Sequence, residues 1–231
     1  MMKERMDLII DYPSKIASML LDNTIDVGLV PVTVIPEMKE YYIISDYCIG
    51  CNGEVASVCL FSDVPLKQIE KILLDYQSRT SVELLKILIK EFWKIDVTIE
   101  PASKDYLSNI KGTTAGLIIG DRSFEQRKTS KYVYDLGLEW KKFTGLPFVF
   151  AAWISNKKLD NNFIESFNDA NRMGLQKIDE FIEANPFSLF DLRSYYTSYI
   201  NFILDENMQR GMDLFMKKLS VPQKLNNTLI K

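Results

Sequence analysis

The sequence predicts an α/β protein of two lobes with a ligand cleft between them, and three observations lead there. Apolar runs of strand length alternate with stretches of helical period from the start of the chain to about residue 155. A middle α/β block, residues 63–149, stands between an α/β opening and a returning strand followed by helices. That order asks the chain to cross twice between lobes, giving a first lobe of residues 1–62 and 150–231 and a second of 63–149. Finally, the polar stretch Asp75-Tyr-Gln-Ser-Arg-Thr-Ser81 sits where an apolar run passes directly into a helix.

Asp11-Tyr-Pro13 reads as a helix start, since proline is tolerated in the first turn, and Ile16, Met19 and Leu20 then recur at helical spacing up to Asn23. Val27–Val32 is a short apolar strand with Pro31 near its end, where a missing N–H does little harm. Tyr41–Ile44 and Ala56–Phe61 are further strands, joined through a turn region at Cys48–Glu54. Strand Ile72–Leu74, helix Ser81–Trp93, strand Asp96–Ile99, short helix Lys104–Ile110 and strand Ala115–Ile119 follow, an alternation that implies parallel sheet with covered faces. Strand Tyr132–Asp135, a helix around Glu139–Phe143, the Gly145-Leu-Pro147 turn and strand Phe148–Ile154 complete the pattern. The remainder reads as helical, with apolar stripes at Phe163 to Phe181, Leu192 to Phe202 and Met212 to Leu219 and a break at Pro186.

Composition narrows the function. Of 231 residues 47% are hydrophobic and 26% charged, which describes a globular chain, and a net charge of −3 with interspersed signs argues against a nucleic-acid partner. No apolar run is long enough to span a membrane, and the opening residues lack the pattern of a signal peptide, so the expected compartment is the cytoplasm. Cys48-Ile-Gly-Cys51 has the spacing of a redox or metal pair. With Cys59 as the one remaining cysteine and no histidine in the chain, reduced structural thiols and no metal site are expected. The lack of histidine also removes the commonest general base.

The turn at 75–81 carries the chemistry. Backbone N–H groups are unpaired at a helix start and favour an anion, and the hydroxyls of Ser78, Thr80 and Ser81 with the guanidinium of Arg79 surround this one. Arg79 adds a planar fork that matches a carboxylate. The same serines and threonine also serve simply as helix caps. Gly120-Asp121 lies just beyond the carboxyl end of a strand, where open α/β sheets bind ligands. These features describe a binder of a small anion, with enzyme and receptor both open.

Several stretches go further. Asp11–Ala17, Ile25–Val32, Gly53–Val58, Ser78–Lys86, Leu117–Asp121, and Tyr134–Gly137 with Trp140–Phe150 resemble, in order, the chorismate dehydratases of the futalosine route to menaquinone. These are relatives of periplasmic solute-binding proteins, so the resemblance implies a type II periplasmic-binding-protein-like fold. It implies loss of water from chorismate to give 3-[(1-carboxyvinyl)oxy]benzoate, with no metal or organic cofactor, no nucleic acid and no membrane. The sister 1,4-dihydroxy-6-naphthoate synthase shares the Thr144-Gly-Leu-Pro147 block, while the Ser78-Arg-Thr-Ser81 turn and the Gly53–Val58 loop fit the dehydratase better. A non-catalytic solute-binding or sensor protein for a small carboxylate is the other reading.

Chorismate has two carboxylates and a ring hydroxyl, so its site needs two anion receptors. Ser78, Arg79, Thr80 and Ser81 form one under this resemblance. The Gly53–Ser57 loop forms the other, through close backbone approach at Gly53 and the hydroxyl of Ser57. Pro31 and Val32 are the expected apolar wall of the facing lobe, and Asp121 the group that polarises the site or holds the hydroxyl. A carboxylate, a hydroxyl, a water or the substrate's own carboxylate acts as base, and no residue is assigned to that role. Members of the family open with a further strand and a Tyr-Leu-Asn motif ahead of the block that matches Asp11–Ala17. A chain without that strand is expected to leave a gap or an exposed edge in the first lobe's sheet.

Overall fold

The computed structural model describes residue 2 and residues 5–75, 78–102 and 105–220. Tyr76 and Gln77 of the polar turn, Lys104 at the start of the short helix expected there, and the last eleven residues assigned to the first lobe lie outside the described residues.

The chain opens with helix α1 (Pro13–Leu21), whose Ile16, Ala17 and Leu20 pack beneath strand β1 (Val27–Pro31). A 3-10 turn (Val32–Glu37) leads to β2 (Tyr42–Cys51) and β3 (Val58–Ser62). The middle block runs β4 (Lys71–Leu74), α2 (Arg79–Ile87, continued as a π-helix over Leu88–Trp93), β5 (Thr98–Pro101) and a 3-10 turn (Tyr106–Asn109). It continues with β6 (Thr114–Ile119), α3 (Asp121–Gln126), β7 (Tyr132–Asp135) and α4 (Leu136–Thr144). Strand β8 (Phe148–Ser155) follows, then helices α5 (Asn161–Gln176), α6 (Ile178–Ala184) and α7 (Leu192–Ser194), which runs into a π-helix at Tyr195–Tyr199. Strand β9 (Asn201–Ile203) and helix α8 (Glu206–Ser220) close the described chain.

Two sheets result, in the orders β1-β8-β2-β9 and β5-β4-β6-β3-β7. In the second sheet β5, β4 and β6 are parallel, as the alternation predicts, and β7 shares their direction. Only β3 runs against them, between β6 and β7. In the first sheet β8 lies antiparallel between β1 and β2, and β9 is antiparallel to β2 on its other side. Each sheet therefore contains one strand delivered from the other lobe. Pairing puts Val58–Ser62 in the second sheet.

Several elements differ from the sequence expectation, among them the unexpected helix α3 and the two that follow. The strand expected at Tyr41–Ile44 extends through both cysteines to Cys51, because register shifts between Ile43 and Cys48 and again at Ile49 interrupt its alternation. The turn expected at Cys48–Glu54 accordingly starts only after Cys51. The stripe Leu192–Phe202 is helical only as far as Tyr199, where Ile200 turns to extended geometry and β9 begins.

Buried residues of both sheets, from Leu20 and Val30 to Leu60, Ile72 and Trp140, form one continuous core. Trp140, fully buried, meets Phe148 and Phe215 edge-on at 5.3 and 6.0 Å and donates its indole N–H to the Pro147 carbonyl. Among the described residues β1 pairs on one side only, and Leu8 and Ile10 ahead of α1 are 69% and 86% exposed.

Candidate ligand-binding cleft

The carboxyl ends of β4, β6 and β7 and the amino end of β3 share one edge of the second sheet. Ser57, Asp75, Asp121 and Asp135 all lie along that edge. Facing it is the 3-10 turn that follows β1. Between them is a cavity of about 450 Å³, lined by Thr33, Pro36 and Glu37 on one side and by Asp75, Ser78, Arg79, Val82 and Glu83 on the other, with Leu219 of α8.

Ser78 caps α2: its Oγ accepts the Ser81 N–H at 3.1 Å and lies 2.8 Å from the Ser81 hydroxyl. Thr80 and Ser81 are buried immediately behind it. Two contacts span the lobes here. The Thr80 and Thr33 hydroxyls are 3.3 Å apart, and the Arg79 guanidinium donates to both carboxylate oxygens of Glu37 at 3.1 and 3.4 Å, with each side chain about half exposed. Arg79 thus grips a carboxylate, supplied by the protein itself.

Ser78 and Arg79 line the cavity; the other expected residues are placed differently. Pro31 is held in β1 opposite Ala151, and Val32 is fully buried in the core, so Thr33 and Pro36 present the facing surface instead. Gly53 (φ +130°) belongs to a loop whose donors point inward. The Asp135 carboxylate accepts the N–H groups of Val55 at 3.1 Å and Ala56 at 2.7 Å, while the Ser57 N–H donates to the Val55 carbonyl. The Ser57 hydroxyl is 2.8 Å from that of Tyr195. Burial raises the Tyr195 phenol above its ordinary value against the lowering contact with Ser57, and the exposed Asp121 adds to the rise at both Tyr195 and Tyr196. Asp121 opens α3 just beyond the end of β6, on the same edge of the sheet.

Asp135 also caps α4 through the Leu138 N–H at 3.1 Å, and burial raises its carboxyl above the ordinary range in spite of the N–H donors around it. Arg127 clamps the same loop by donating to the Ala56 carbonyl at 2.8 Å.

Sequence reasoning missed Thr33, Glu37, Asp75 and Arg122. Asp75 ends β4, and its Oδ2 accepts from Tyr106 Oη at 3.0 Å, Ile119 N–H at 3.3 Å and Arg122 at 2.7 Å. A carboxylate at the carboxyl end of a strand, next to the anion turn, was a signal available in the sequence. The partners of Asp75 and Glu37 come from distant positions and had no such local sign.

The three cysteines are buried free thiols, and burial pushes Cys48 up to about 12. Among the described residues no group of three or more histidine, cysteine or acidic side chains is gathered to hold a metal ion, and no helix is long and apolar enough to cross a membrane.

Two sheets exchanging one strand each around a cleft define the class: this is the fold of the periplasmic solute-binding proteins. A solved protein of Archaeoglobus fulgidus shares it at a TM-score of 0.70, with 14% identity and coverage of 92% of this chain and 84% of that one. The alkanesulfonate-binding protein of Xanthomonas axonopodis pv. citri, bound to MOPS, does so at 0.54 with 11% identity, covering 92% and 82%. Within that class the chain belongs to the menaquinone biosynthesis family, whose model matches residues 1–220. A chorismate dehydratase of Thermus thermophilus is 26% identical over 234 aligned positions, covering 91% of this chain and 85% of the relative.

Proposed function

We propose that the protein is a chorismate dehydratase, a cytoplasmic hydro-lyase of the futalosine route to menaquinone that needs no metal or organic cofactor. One observation carries the reading: the start of α2, with Ser78, Arg79 and Ser81, opens beside an inter-lobe cavity where Arg79 already holds a carboxylate. Family membership and the Thermus relative support it.

In this elimination a proton leaves the ether-bearing ring carbon and hydroxide leaves its neighbour, so water departs and the ring becomes aromatic. Arg79 exchanges Glu37 for a substrate carboxylate, which the helix start also favours. Every carboxylate lining the cavity is ion-paired: Glu37 with Arg79, Asp75 with Arg122 and Glu83 with Lys86. The candidate proton acceptors are Glu37, released when Arg79 takes the substrate, a water, and the substrate's own carboxylate. The rate enhancement then comes mainly from positioning and fixed charge.

The test is conversion of chorismate followed by appearance of the aromatic product. Native protein is expected to turn over, and Arg79→Ala and Ser81→Ala to lose on the order of tenfold to a thousandfold in kcat/KM. Undiminished rates in both variants, or conversion of a cyclic futalosine in place of chorismate, would contradict the reading.

A further inference from the structure

A dicarboxylate substrate needs a second anion receptor, and the N–H groups of Val55, Ala56 and Ser57 are spent on Asp135 and on the loop itself. The same sheet edge holds another guanidinium. Arg122 follows Gly120, whose φ of +66° turns the chain from β6 into α3. Its guanidinium reaches over the end of the neighbouring strand to Asp75. Asp75 has no exposed side-chain surface, whereas 27% of the Arg122 side chain is exposed.

A buried carboxylate that lines the cavity and takes three donors on one oxygen fixes the guanidinium on that side. Arg79 and Arg122 follow the carboxyl ends of β4 and β6, which are adjacent strands, and Asp75, which lines the cavity together with Arg79, holds Arg122 at 2.7 Å. We infer that Arg122 receives the second carboxylate of the ligand and that Asp75 is the positioning residue holding it in place. This rests on the reading of the cleft as a dicarboxylate site.

The experiment is calorimetric titration of the full chain with 3-[(1-carboxyvinyl)oxy]benzoate, alongside steady-state kinetics with chorismate. Arg122→Lys keeps a cation beside Asp75 and loses the planar fork. It is expected to bind the dicarboxylate at least about tenfold more weakly than native protein. Asp75→Asn keeps an acceptor and releases Arg122, and is expected to raise KM about fivefold or more with kcat nearly unchanged. A merely structural Asp75 would instead lower the active fraction, and so kcat, at constant KM. Equal affinity of native and Arg122→Lys protein, with Arg79→Ala impaired, overturns the role of Arg122 and leaves the cleft assignment standing. Absence of dicarboxylate binding by native protein overturns both.

Discussion

Asp135 shows how one side chain serves two elements. It caps α4 and, through Val55 and Ala56, fixes the loop in which Ala56 adopts a left-handed φ of +62°. Asparagine offers a single acceptor oxygen there, so Asp135→Asn is expected to cost about 1–3 kcal/mol of stability in urea unfolding. Burial raises Asp135, so the folded state holds its proton more tightly than the unfolded chain does. That contribution is complete below the ordinary carboxylate value and is lost as pH rises through the raised one. The stability gap between native and Asp135→Asn protein is therefore expected to widen as pH falls from 7 towards 4. A gap that narrows would mean that the N–H donors outweigh burial.

At the scale of elements, the block Tyr134–Gly137 turns out to be a joint. A Cβ on Gly137 would meet the Cys51 Sγ and the Gly53 carbonyl, each at 2.5 Å, so α4 packs against the crossing segment only because residue 137 is glycine. Gly137→Ala is expected to lower stability by about 1–3 kcal/mol, read from the denaturation midpoint, and an unchanged midpoint would contradict this packing. Elements of this kind were legible where local pattern dictates local structure. The strands of the second lobe follow from short apolar runs, and the start of α2 from its capping hydroxyls. The extent of β2 was not, since its bulges hide the alternation, nor was β9, whose Tyr199 and Phe202 keep helical spacing after the helix has ended. Of the cleft, Ser78 and Arg79 were readable because the helix start is a local motif. Glu37 lies 42 positions from Arg79 and Arg122 lies 47 from Asp75, and only tertiary folding brings these pairs together.

For the whole molecule, the exchange of β3 and β8 ties the lobes through two crossings and one shared core, while the rim contacts Arg79–Glu37 and Thr80–Thr33 hold the cleft mouth. Half-exposed ion pairs of this type contribute about 0–1 kcal/mol, so a ligand carboxylate can displace Glu37 at little cost. The most direct test is a crystal structure of the protein with 3-[(1-carboxyvinyl)oxy]benzoate bound. The account predicts one ligand carboxylate at the start of α2, within hydrogen-bond distance of Arg79, with Glu37 moved away. A ligand bound elsewhere, with Arg79 still on Glu37 and the helix start uncontacted, would contradict it.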